Sequence, residues 1–211
     1  MSQALSPDGK WVLSVPLGRP GKLVMLPTGA GEARTLSYPI AFAILRASWF
    51  PDGRRLLIYA RQADQGERLF VQDGEGAELR PLTPEGTSIF SGAISPDGRF
   101  VTAIGPDEQT RNYPVEGGEP RPIPGLDTAD VVLRWSAGGQ ALFVMRPNEL
   151  PARIERLDLR TGEKKLWREL MPADGAGILD IGPVLLSEDG TSYVYSFRRF
   201  LSTLYLAEGL R

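Results

Sequence analysis

Five arginines recur at one place in the sequence pattern, Arg19, Arg61, Arg146, Arg198 and Arg199, each close behind an apolar run, while Asp107 and Glu108 occupy the matching place in the middle of the chain. Guanidinium groups gathered on one side of a fold hold a phosphate, a carboxylate or an acidic peptide through paired hydrogen bonds. The competing reading is a set of solvated loop charges. Catalysis has little to draw on, because the 211 residues contain neither histidine nor cysteine. No Ser-His-Asp or Cys-His nucleophile, no thiolate or imidazole metal site and no disulfide can be built from them. These residue types favour binding over catalysis, with no cofactor and no metal expected.

The elements that must position the arginines announce themselves by punctuation. Ser6-Pro7-Asp8-Gly9, Phe50-Pro51-Asp52-Gly53, Ser95-Pro96-Asp97-Gly98, Ser136-Ala137-Gly138-Gly139 and Ser187-Glu188-Asp189-Gly190 end on glycines 44, 45, 41 and 51 residues apart. A period of roughly 40 to 50 residues marks a repeat architecture. Each turn is preceded by an apolar residue (Leu5, Trp49, Ile94, Trp135, Leu186) and followed by an apolar run, which reads as strand, tight turn, strand.

The runs after the turns, such as Leu56-Leu57-Ile58-Tyr59 and Ala141-Leu142-Phe143-Val144-Met145, are apolar at successive positions and so belong to strands covered on both faces. A third strand and a glycine turn follow. A fourth, outer strand rich in proline and charge comes next, as suits an exposed edge. Four strands per unit of this length is the blade of a β-propeller. The expected fold is all-β, a single propeller domain over 1–211 of about five four-stranded antiparallel blades, at approximately 1–37, 44–83, 89–124, 129–170 and 180–211. The last blade stops at Leu204-Tyr205-Leu206 and lacks its outer strand, which predicts an open or truncated ring of nineteen strands.

Composition agrees. With 24 glycines and 18 prolines, helical repeats of the same period are excluded, since an interior proline costs a helix about 3 kcal/mol. A net charge of −2 with interspersed signs gives no footprint for nucleic acid. No run of 18 apolar residues occurs, and Met1-Ser2-Gln3-Ala4-Leu5 has no secretory pattern, so the chain as given reads as soluble with no membrane contact of its own. The compartment stays open between periplasm and cytoplasm.

The unit of apolar residue, Ser-Pro-Asp-Gly, Lys or Arg, apolar strand, third strand, glycine turn and outer strand resembles the TolB-like propeller repeat, a bacterial relative of the WD repeat. The first and third copies match all four motif positions, the second has Phe50 for serine, the fifth Glu188 for proline, and the fourth keeps Ser136 and Gly139. The stretch from Leu186 to Ser196, continued by Leu201 to Leu210, is similar to the end of propellers fused behind bacterial serine/threonine kinases and winged-helix regulators. The resemblance implies a sensory or scaffolding module that binds a protein or a small anionic ligand. The chain carries none of the kinase motifs.

Several constellations have a bland reading. The turn aspartates Asp8, Asp52, Asp97 and Asp189 make turns rather than bind calcium, because Asp accepts from the backbone two residues on and glycine takes the positive φ. Trp49 and Trp135 belong between blades. Residues expected to look into the channel are Arg46 and Ser48, Ser91 and Ala93, Val132 and Arg134, Pro183 and Leu185, with Asp180, Asp127 and Asp130 the carboxylates nearest such strands. A glycosidase needs two or three converging carboxylates. The expectation is therefore a non-catalytic binding module; the alternative is the propeller of an enzyme such as a propeller-capped peptidase or glycosidase. The open edge strand also offers a route to self-association.

Overall fold

The computed structural model describes residues 2–39, 41–89, 94–187 and 189–202. Each turn signal produces the hairpin it predicts. β1 (Ser2–Leu5), β2 (Trp11–Ser14), β3 (Lys22–Pro27) and β4 (Arg34–Ser37) form the first blade; β5 (Phe42–Trp49), β6 (Leu56–Gln62), β7 (Glu67–Gln72) and β8 (Leu79–Pro81) the second. The third contains β9 (Phe100–Ile104), β10 (Thr110–Pro114) and the two-residue β11 (Arg121–Pro122). Single bridges join Ser88 to Ile104 and Ile94 to Val101. β12 (Val131–Trp135), β13 (Ala141–Met145), β14 (Ala152–Asp158) and β15 (Lys164–Leu170) make the fourth, and β16 (Ile178–Leu186) pairs with β17 (Tyr193–Arg199) in the fifth. All pairings are antiparallel between strands adjacent in sequence, and no helix occurs among the described residues. The expected strands over Ser91–Ala93 and Leu204–Leu206 lie outside the described residues.

The turns share one hydrogen-bond plan. Gly9, Gly53, Gly98, Gly139 and Gly190 sit at φ between 67° and 71°, the left-handed conformation that only glycine adopts without strain. Ser6, Ser95, Ser136 and Ser187 each accept, at Oγ, the N–H five residues on, at 2.9 to 3.1 Å. In three of these the serine hydroxyl donates to the turn aspartate at 2.6 Å. The motif thus closes the hairpin with side chains as well as backbone.

Between consecutive blades lies one apolar cluster. Leu13, Leu23 and Met25 of the first blade meet Ile44, Ile58 and Phe70 of the second. Phe50, Leu57 and Leu69 meet Val101 and Tyr113 of the third, whose Ile123 meets Trp135 and Leu142 of the fourth. Phe143 and Ile154 then meet Ile181 and Val184 of the fifth. β13, packed on both faces, is buried at every residue. Five blades thus give four clusters, and among the described residues none joins the fifth blade to the first.

Candidate functional site

One side of the array is assembled where hairpin loops rest on the connections between blades. Gly21 N–H donates to the Phe42 carbonyl and Ala63 N–H to that of Ala41, both at 2.8 Å. Gly66 N–H donates to the Glu85 carboxylate at 3.1 Å, and Phe200 N–H to the Gly177 carbonyl at 2.8 Å. The loops that carry the predicted arginines are therefore held together with the blade-to-blade connections, as the repeat requires.

The arginines do not share one role there. Arg146 spans two acids of the connection ahead of its own blade, Asp127 at 2.9 Å and Asp130 at 3.3 Å. The Asp130 carboxylate is almost wholly buried and also accepts from Lys164 and from Asp127 N–H. Arg198 Nε donates to Asp180 at 2.6 Å, across the β16–β17 pair, and Arg199 to Asp174 at 2.9 Å. Asp107 is chelated by Arg111 at 2.7 and 2.6 Å, and that guanidinium holds its carboxyl down at about 2; Glu108 beside it is exposed, at φ 62°. Three of the five arginines are matched by acids, which breaks the positive rim. Sequence distance hid this: Arg146 and Asp127 are 19 residues apart, and only the meeting of loop and connection joins them.

Arg19 and Arg61 remain. Both are exposed and neither has an ion-pair partner among the described residues. Each lies two residues before a backbone donor, Gly21 and Ala63, that is anchored to adjacent residues of one connection, Phe42 and Ala41. The fold thus places the two arginines on either side of the link between the first and second blades, with Glu67 opposite Arg61 across β6 and β7. Leu17, 78% exposed, lies in the same loop as Arg19.

The turn aspartates behave as turn makers. The carboxylates of Asp8, Asp52, Asp97 and Asp189 each accept the N–H two residues on, at 2.9 to 3.1 Å. The Ser187 hydroxyl and the Thr191 N–H hold the Asp189 carboxyl at about 2, and Ser6 draws that of Asp8 below its usual range. Among the described residues no group of three or more acids is placed to hold a metal ion.

The channel assignment is corrected at Val132. Each described inner strand of the first, second, fourth and fifth blades carries a bulge, as between Ile44 and Arg46 and between Val132 and Arg134. An extra residue reverses the alternation of faces. Val132 is consequently buried in the cluster between the third and fourth blades, while Arg134 Nη1 donates to the Leu186 carbonyl of the fifth blade at 2.8 Å. Arg46, Pro183 and Leu185 are exposed and Ser48 half-buried; Ser91 and Ala93 lie outside the described residues. Trp135 is buried between blades and Trp49 packs on the first cluster, as expected.

An all-β array of antiparallel blades with these turns has a TolB-like β-propeller fold. No family model and no curated protein matches the chain. Among solved structures it is similar to TolB from Acinetobacter baumannii, with a TM-score of 0.67 and 15% identity over 94% of this chain. A putative TolB from Agrobacterium tumefaciens gives 0.66 and 18% over 94%, and an oligogalacturonate lyase in complex with manganese 0.64 and 16% over 89%. The chain spans 54% of the Acinetobacter protein, 70% of the Agrobacterium protein and 55% of the lyase. Identities this low carry the fold and leave the function to the site.

Proposed function

We propose that this propeller is a non-catalytic binding module that takes an acidic segment of a protein partner on its loop side, at Arg19 and Arg61, and serves as the sensory or scaffolding part of a larger bacterial signalling protein. The observation that carries the reading is the pair of exposed arginines in loops tied to one connection, neither in an ion pair among the described residues, with Glu67 opposite Arg61 taken up by the Tyr59 hydroxyl. Leu17 adds an apolar contact that an inorganic anion would not use. The carboxylates on the same side suit catalysis poorly. A general acid needs a raised pKa, whereas contacts with N–H groups and guanidiniums hold Asp107, Asp127 and Asp174 below the usual range.

A calorimetric titration with a short Asp- and Glu-rich peptide bearing one leucine tests this, against its Asn/Gln counterpart. Binding should favour the acidic peptide, weaken with salt, and fall by about tenfold or more in Arg19→Ala/Arg61→Ala. In Arg198→Ala, whose guanidinium is already paired, it should hold. Equal binding of both peptides, or an unaffected double variant, refutes the assignment.

A further inference from the structure

The repeat allows the two end blades to be compared, position by position, with blades that have neighbours on both sides. In each blade that has a following neighbour, the residue four after the turn glycine is packed against that neighbour: Leu13, Leu57, Thr102 and Phe143 are 0%, 3%, 3% and 6% exposed. The equivalent residue of the fifth blade, Val194, is 61% exposed. Its cross-strand partner Leu185 is 52% exposed, and Leu179 on the same strand 59%.

The first blade shows the mirror situation. The residue three after the turn glycine faces the preceding blade and pairs across the strands with Gln72, Tyr113 or Leu157 in the second, third and fourth blades. Those partners are 2%, 3% and 0% exposed. In the first blade the pair is Val12 with Leu26, and Leu26 is 40% exposed; Leu5, opposite Val12 on the other side, is 59% exposed. Terminal units of stacked repeat arrays normally end on polar faces, because nothing else keeps them from associating. These two ends are apolar.

We infer that the two end faces bind each other between copies of this chain, the fifth blade of one copy seating on the first blade of the next. The occupant follows from the four interfaces already present in the molecule. Each joins the following-side face of one blade to the preceding-side face of another, and the two faces left without a partner among the described residues are one of each kind. A second copy therefore extends the same packing by one more seam. Because the two surfaces differ, the contact is heterologous, so that blocking either face blocks association.

Light scattering and sedimentation velocity across a dilution series test this. The mass of the wild-type chain should rise with concentration. Leu26→Arg and Val194→Arg, each at an exposed site, should each sediment as a single chain with an unchanged melting curve. An equimolar mixture should recover a species of two chains and nothing larger, since one variant retains the fifth-blade face and the other the first. Leu5→Arg and Leu185→Arg form a second pair should either first variant melt early. A wild-type mass of one chain at every concentration overturns the inference, as does association that survives both variants or a mixture that stays monomeric.

Discussion

The indole nitrogen of Trp135 donates to Thr102 Oγ1 at 3.0 Å across the seam between the third and fourth blades, whereas the indole nitrogen of Trp49, at the same repeat position, is buried with no acceptor among the described residues. The residue four after the preceding blade's turn glycine accounts for the difference: Thr102 in one case, Leu13 in the other. Trp135→Phe should therefore destabilise the chain by about 1 kcal/mol more than Trp49→Phe, the usual net worth of one such bond. Urea denaturation compares them, and equal losses contradict this account of the seam.

The Asp130 carboxylate, buried between Arg146 and Lys164, is the ion pair whose loss should matter most. Asp130→Ala strips Lys164 of its acid, leaves Arg146 with Asp127 alone and removes the acceptor of Asp127 N–H, and should cost about 3 kcal/mol. Asp180→Ala frees Arg198, whose side chain is 78% exposed, and should cost less than about 1 kcal/mol. Thermal melts that order the two variants the other way contradict the assignment.

What the sequence made legible and what it hid divide along physical lines. The turns were legible because serine, aspartate and a left-handed glycine are bound together within six residues, so that Ser95, Asp97 and Gly98 fix their hairpin without help from the rest of the chain. The bulges were not, since a strand with one extra residue looks the same as one without until its pairing is known. Simple alternation therefore points Val132 into the channel, although it packs between blades. The fate of the arginines was hidden for the same reason: Arg199 and Asp174, 25 residues apart, meet only after the fifth blade has folded back on its connection.

Two glycines with the same backbone should respond differently to alanine. Gly9 and Gly125 have φ of 71° and 73°, but a Cβ at Gly9 meets nothing within 4 Å, while one at Gly125 falls 2.0 Å from the Gly162 carbonyl oxygen. Gly9→Ala should lose about 1 kcal/mol from backbone strain. Gly125→Ala must also displace the neighbouring turn, so its loss should exceed that of Gly9→Ala by at least as much again. Equal melting temperatures contradict the close approach of the two turns.

Acid should loosen the hairpins. The ordinary value for these carboxyls is 3.8, and that of Asp189 is held at about 2 by Ser187 and Thr191; Asp8 is lowered chiefly by Ser6. For Asp97, burial acts upward and the Ser95 hydroxyl with the Arg99 N–H outweighs it. A carboxyl with a depressed folded-state value contributes stability that is present above pH 4 and lost as pH falls through that value. Stability should decline between about pH 4 and pH 2. In a chain carrying Asp8→Asn and Asp189→Asn, that decline should be shallower; an identical pH profile removes the turns from the explanation.

Among the described residues five blades meet at four buried seams and leave the outer faces of the first and fifth uncovered, an arrangement that amide hydrogen exchange in dilute solution tests most directly. Local protection follows burial and pairing. The amides of β13, covered on both faces by neighbouring blades, should exchange slowest, and those of β17, covered on one face only, faster by orders of magnitude. Protection of Tyr193–Arg199 equal to that of Ala141–Met145 would mean that the fifth blade is closed against the first, and would contradict the open array.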